Sequence, residues 1–151
     1  MNRPADHAIR ILNSLIETTL DSADGYSQAA TSAADERHKE LFQEWANDRR
    51  QVATELKSQL LVLGGTPDHA GSALAAGYRM FLKLVDSVTR GDESVVDEIK
   101  RGEDFIQSTY EEALDDEELS MDVRNSVIRA YSSVKSGHDR ARDLKHSLLR
   151  R

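Results

Sequence analysis

The chain has 151 residues, which is enough for one domain with one hydrophobic core, and it has no cysteine, which excludes disulfides, cysteine-ligated zinc and thiol catalysis. Its net charge of −7 argues against nucleic acid as a partner, and its apolar runs are too short to cross a membrane. No charged segment precedes an apolar run near Met1, so we expect a cytoplasmic protein, with residues 1–151 forming one domain.

The first predicted helix runs from about Ala5 to Ser32. Apolar side chains and one threonine recur along it every three or four residues, which places them on one face of a helix. They are Ala8, Ile11, Leu12, Leu15, Ile16, Thr19, Leu20, Ala23, Tyr26 and Ala30. Gly25 lies inside this pattern and weakens the helix without ending it.

The second predicted helix runs from about Ala34 to Leu63. Its apolar face comprises Leu41, Phe42, Trp45, Val52, Leu56, Leu60 and Leu63. Two glycines, Gly64 and Gly65, follow directly, and Pro67 comes soon after them. Glycine just past a helix with proline beyond it is a strong signal for a helix C-terminus.

Three further helices are predicted after this stop. A short helix covers about Ser72 to Thr89, and a longer one covers about Glu93 to Leu114, with Asp92 as its expected N-cap. The last runs from about Met121 to Leu148, and Ser120 is a weak capping signal because no glutamate follows three residues later. The acidic turn between the last two helices, 115–118, reads as a solvated segment, and His7 as an isolated histidine.

The order of these elements predicts an all-α fold with four long helices. Short turns join the first pair and the last pair, so each pair should form an antiparallel hairpin. The connection between the hairpins is long enough to run the length of a bundle and carries the short helix. This is the ferritin-like four-helix topology, two hairpins joined by one long crossover.

Charge is distributed unevenly over the second half of the chain. Residues 92–118 contain twelve acidic and two basic side chains, a net charge of −10, whereas residues 121–151 contain eight basic and three acidic ones, a net charge of +5. Opposite charges on consecutive helices fit two helices that lie side by side with solvated outer faces.

Four polar residues fall on the apolar stripes, one from each long helix: Thr19, Arg49, Glu103 and His138. Thr19 and Arg49 are equally far in sequence from residue 34, where the first turn is predicted. Glu103 and His138 are equally far from a point near residue 120, the second turn. Because paired residues in an antiparallel hairpin are equidistant from its turn, we expect each pair to be level, near the middle of its hairpin. If the hairpins pack as a bundle, all four residues share one central layer.

Two interpretations of this layer follow from physical chemistry. A buried carboxylate needs a partner, and Arg49 can provide a bidentate one while His138 adds a hydrogen bond. The layer is then a buried salt bridge that fixes the register of the helices. Otherwise it is a functional site built around Glu103.

The segments "LNSLIETTLDSADGY", "ELKSQLLVLGGTPDHAGS", "RGEDFIQSTYEEAL" and "GHDRARDL" resemble an uncharacterised family of bacterial ferritin-like four-helix-bundle proteins, a domain-of-unknown-function family. The resemblance extends from about Ile11 to Leu148. It implies a ferritin-like bundle in a small bacterial cytoplasmic protein, and it implies no established activity.

Di-iron members of the wider ferritin-like group carry a Glu on two helices and Glu-x-x-His on the other two. The nearest set here is Glu17, Asp48, Glu103 and His138, which is incomplete. Lys135 stands three residues before His138, Gln51 stands where a second histidine is needed, and the helical wheel turns Glu17 away from the apolar stripe. Arg49 would put a permanent cation where the metal belongs.

Two functional hypotheses remain. The first is a non-catalytic bundle without a cofactor that acts through protein contacts, as a homo-oligomer such as a dimer; the small residues of "GSALAAGY" permit close helix packing. The second is a metal-binding or oxidative-stress protein that holds iron or another divalent metal through Glu103 and His138. A contact between Arg49 and Glu103 would argue for the first.

Overall fold

A computed structural model of the protein describes residues 3–33, 35–66 and 92–149. These residues form four α helices and no strand: α1 (Arg3–Ser32), α2 (Glu36–Val62), α3 (Asp92–Leu114) and α4 (Met121–Leu149). The predicted all-α four-helix fold is confirmed. The short helix predicted at 72–89, and with it the crossover, lies outside the described residues. None of the four helices is long and apolar enough to cross a membrane.

The ends of α2 follow from local chemistry. The Asp35 carboxylate accepts a hydrogen bond from the Arg37 backbone N–H at 2.9 Å, so the helix begins two residues later than predicted. At its other end, Gly64 adopts a positive φ of 80°, which is costly for a residue with a Cβ atom. The Gly65 N–H then donates to the Leu60 carbonyl oxygen at 3.0 Å, which stops the helix where the sequence predicted.

The turn between α3 and α4 is held by side chains from α4 and its cap. The Ser120 hydroxyl accepts a hydrogen bond from the Val123 N–H at 3.4 Å, so it caps α4 without the glutamate of a capping box. The Arg124 guanidinium donates to the carbonyl oxygen of Leu114 at 2.6 Å and to that of Asp116. These bonds satisfy carbonyls that the end of α3 leaves without helical partners.

The two hairpins are α1 with α2 and α3 with α4, and they pack together through α1 against α3 and α2 against α4. Along α1 and α3, Thr19 contacts Tyr110 and Tyr26 contacts Glu103. Residue numbers rise on α1 as they fall on α3, so these two helices are antiparallel.

Contacts between α2 and α4 also give the relative direction of these two helices. Gln59 accepts a hydrogen bond from Ser126 at 3.1 Å, and Asp48 forms an ion pair with Arg140 at 2.8 Å. These helices are therefore antiparallel too, and α2 and α3, on one diagonal of the bundle, run parallel. Consequently α2 ends and α3 begins at opposite ends of the bundle.

Most of the buried apolar side chains in the described part of the chain form two separate clusters. The aromatic cluster comprises Tyr26, Ala29, Ala30, Phe42, Trp45, Ala46, Val95 and Ile99. The aliphatic cluster comprises Ala8, Leu12, Leu15, Ile16, Val52, Leu56, Leu60, Ile106, Tyr110, Ala113, Leu119, Val123, Val127, Ala130 and Val134. On α1, α2 and α3 the two clusters occupy different stretches of the helix, and the polar residues discussed next lie between them.

Candidate functional site

The centre of the bundle contains a buried ion pair between α2 and α3. Arg49 Nη2 donates to Glu103 Oε1 at 2.5 Å, and the two side chains are only 4% and 1% exposed. Arg49 follows Trp45 by one helical turn, and Glu103 lies between Ile99 and Ile106, so the spacing of the apolar faces carries both charges into the core.

Both oxygens of the Glu103 carboxylate are occupied. Tyr26 donates its hydroxyl proton to Oε2 at 2.8 Å, and burial raises the pKa of Tyr26 well above its ordinary value, so the phenol stays protonated. Burial by itself lowers the pKa of Arg49, but the adjacent Glu103 charge raises it, and the net shift is upward. Arg49 Nη1 also donates to the Ser22 hydroxyl at 3.3 Å. The site is therefore a charge-neutral, hydrogen-bonded network.

Thr19 lies in the same region of the core but belongs to a second hydrogen-bonded pair. Its hydroxyl donates to the Leu15 carbonyl oxygen at 2.6 Å and lies 2.7 Å from the Tyr110 hydroxyl. Burial raises the pKa of Tyr110 to about 12, so this hydroxyl is also neutral. Thr19 thus faces inward, as its helical wheel suggested, and it pairs with Tyr110.

Helix α4 contributes a glycine to this layer. A Cβ atom placed on Gly137 would lie 2.5 Å from Arg49 Nη2 and 3.3 Å from Glu103 Oε1. Gly137 therefore provides the space that the ion pair fills. The predicted inward direction of His138 concerns a side chain outside the described part of the structure. The sequence did contain a signal for this feature, namely a glycine directly before His138 inside a predicted helix. Glycine lowers helix stability there by about 1 kcal/mol relative to alanine, so its presence indicates a need for space.

The alternative ligand set also includes Asp48 and Glu17. Asp48 forms its ion pair with Arg140 on the partly exposed surface between α2 and α4. Glu17, which the helical wheel turned away from the apolar stripe, is nevertheless only 5% exposed. Thr18 and Asp21 are buried together with Thr19, so α1 is covered on more than one side. The helical wheel assumed a single buried face and therefore did not predict the burial of Glu17.

Asp21 is a buried carboxylate that sequence reasoning missed. It is 6% exposed, and within the described residues its Oδ2 atom has no hydrogen-bond partner. Burial, followed by the charges of Asp24 and Glu17, raises the pKa of Asp21 from 3.8 to about 7. Near neutral pH this carboxyl group is therefore partly protonated, whereas in the unfolded chain it is ionised.

This raised pKa predicts a pH-dependent stability. Between pH 4 and 7 the unfolded chain loses the Asp21 proton while the folded chain keeps it, so the free energy of unfolding falls as the pH rises through this window. Asp21→Asn, which mimics the protonated acid, should stabilise the protein by about 1–3 kcal/mol at pH 8 and leave it unchanged at pH 4. Urea unfolding at the two pH values measures this.

Asp97 offers a matched control for Asp21, because it is an exposed aspartate inside α3. Asp97→Asn removes the same charge and should change the free energy of unfolding much less. Equal stabilities of the wild type and Asp21→Asn at pH 8 would contradict a buried, uncompensated carboxylate at this position.

Comparison with known proteins gives one family match. The sequence model of the family described as "Domain of unknown function (DUF2383)" matches residues 7–116, which include α1, α2 and α3. A search of curated proteins found no match. The matched range contains both partners of the central ion pair, Arg49 and Glu103.

Proposed function

We propose that this chain, which belongs to the family of unknown function DUF2383, has a non-catalytic role as a helical bundle that works through contacts with other proteins. The observation that carries this proposal is the ion pair of Arg49 and Glu103 at the centre of the bundle. The ion pair joins α2 to α3, which is a structural role for these two charged residues of the core.

A catalytic or metal-binding carboxylate needs a lone pair and open space beside it, where a proton donor or a cation can approach. In Glu103 one oxygen accepts from Arg49 and the other from Tyr26. The guanidinium cannot be deprotonated in a protein, so its positive charge stays in the space next to this carboxylate. A divalent cation would have to displace it and leave a desolvated arginine behind, which costs several kcal/mol.

The alternative function is metal binding or a role in oxidative stress through Glu103 and His138. The resemblance of the chain to ferritin-like proteins is the argument for it, because such proteins hold metals between facing helices. Here Arg49 lies 2.5 Å from the carboxylate that would serve as the ligand. The fixed cation therefore supports the non-catalytic proposal over the alternative.

Exposed apolar side chains support self-association. Leu61 and Val62 near the end of α2 are 65% and 78% exposed, and Met121 at the start of α4 is 73% exposed. The hydrogen bond from Ser126 to Gln59 shows that these two helix ends lie at the same end of the bundle. Large apolar side chains that are exposed at the same end of a bundle suit a protein contact surface, so we propose that a homo-oligomer, such as a dimer, forms there.

One preparation of the protein tests both parts of the proposal. After loading with iron or manganese and dialysis, elemental analysis should give the same metal content for the wild type and for His138→Gln. Light scattering should give a mass above that of one chain. Metal that is retained by the wild type and lost in His138→Gln would favour the alternative function, and a monomer at all concentrations would contradict the proposed self-association.

A further inference from the structure

A histidine and two carboxylates converge where α1 meets the turn between α3 and α4. His7 Nε2 lies 2.6 Å from Asp116 Oδ2 and 3.5 Å from Glu118 Oε2. Among the described residues, these side chains form the one group of three or more metal-ligating residues whose ligand atoms all lie within 4.8 Å of one another. The group is separate from the central ion pair, and the proposed function does not use it.

We propose that His7, Asp116 and Glu118 form a binding site for a divalent transition metal of the zinc class. An imidazole nitrogen with two carboxylate oxygens is a ligand set that zinc accepts. The nitrogen ligand favours a transition metal over magnesium or calcium, which prefer oxygen ligands alone. Three protein ligands leave the fourth tetrahedral position for water.

The convergence of two carboxylates on one nitrogen distinguishes this group from an ordinary ion pair. A proton on Nε2 can be donated well to only one acceptor, and the nearer acceptor is Asp116. Glu118 Oε2 points at the same nitrogen from 3.5 Å, beyond a good hydrogen bond, and its charge adds to that of Asp116. A divalent cation in place of the proton would serve both carboxylates.

The distances suit this exchange. Ligand atoms about 2.1 Å from a tetrahedral zinc ion lie about 3.4 Å apart. The separation of His7 and Glu118, 3.5 Å, is already close to that value, and the separation of His7 and Asp116, 2.6 Å, would need to increase by less than an ångström. Glu118 is largely exposed, so its side chain is free to adjust.

Asp116 is held in position by bonds that do not involve its ligand atom. Its Oδ1 atom accepts the backbone N–H of Glu118 at 2.9 Å. This bond orients the carboxylate so that its other oxygen, Oδ2, faces His7. A metal ion here would join the start of α1 to the turn that follows α3 and so stabilise the folded chain by mass action.

Titration of the metal-free protein with zinc, followed by calorimetry, tests the proposal. We expect one zinc ion per chain and a rise in the melting temperature. His7→Gln and Glu118→Gln should each weaken binding about 10-fold or more and reduce that rise. Glu117→Gln is the matched control, because it removes the same charge from the adjacent exposed position of the turn, and it should bind zinc like the wild type.

The outcomes are distinct. An unchanged zinc affinity in folded His7→Gln, verified by circular dichroism, would overturn the site, and so would an equal loss in Glu117→Gln. If zinc does not bind, and His7→Gln merely lowers the melting temperature, the group is a simple ion pair and the proposal is wrong. Zinc binding that survives in His138→Gln but not in His7→Gln would support it and leave the proposed function intact.

Discussion

Glu103→Ala is expected to lower the free energy of unfolding by about 3–5 kcal/mol, because it leaves the Arg49 guanidinium buried without its counter-charge. In a chain of this size, such a loss corresponds to a fall in melting temperature of roughly 6–20 °C. The expected effect is large because Arg49 is only 4% exposed, so water cannot replace the lost carboxylate without opening the core. Tyr26 loses its hydrogen-bond acceptor in the same variant.

Thermal unfolding of two further variants separates the charge from the packing. Arg49→Met with Glu103→Leu removes both charges and should be far more stable than Glu103→Ala, because no unpaired ion remains. Glu112→Ala removes an exposed carboxylate of the same helix and should leave the melting temperature nearly unchanged. If Glu103→Ala melts at the wild-type temperature, the buried ion pair does not hold the fold together.

Gly137→Ala is expected to destabilise the protein by about 1–3 kcal/mol, although replacing glycine by alanine inside a helix ordinarily stabilises it by about 1 kcal/mol. The reversal comes from the added methyl group, which would lie 2.5 Å from Arg49 Nη2. An exposed arginine would simply move aside. Here its two terminal nitrogens donate to Glu103 and Ser22, so moving it breaks buried hydrogen bonds.

Chemical denaturation measures this effect, with Ser132→Ala as the control. Ser132 is exposed on the same helix, and its replacement should produce only the small gain in helix propensity. A Gly137→Ala variant that is more stable than the wild type would show that the space beside the ion pair is not needed.

Much of the architecture could be predicted because it depends on local signals. Four helices could be predicted from the apolar spacing and from the glycines after Leu63. The predicted ends of these helices agree with the structure within two residues. The positions of Arg49 and Glu103, each near the middle of its own hairpin, could also be anticipated, and the two residues meet once the hairpins pack as a bundle. These inferences needed only helix geometry and the positions of the turns.

The remaining features depend on contacts that a helical wheel does not contain. Gly137 has no side chain, so the pattern of polar residues on apolar faces could not reveal its place beside the ion pair. The burial of Asp21 depends on what packs against the other sides of α1. His7 and Asp116 are 109 positions apart, and their meeting depends on where the turn before α4 points, so His7 read as isolated and the turn as merely solvated.

The division of the core into two clusters bears on how the bundle opens locally. Because the two clusters share no residue among those described, we expect the two regions of the bundle to open locally as separate units, with different rates of amide hydrogen exchange. Arg49 and Glu103 lie at the border between the two regions. Opening of either region is expected to hydrate the ion pair, so the pair couples the stability of one region to that of the other.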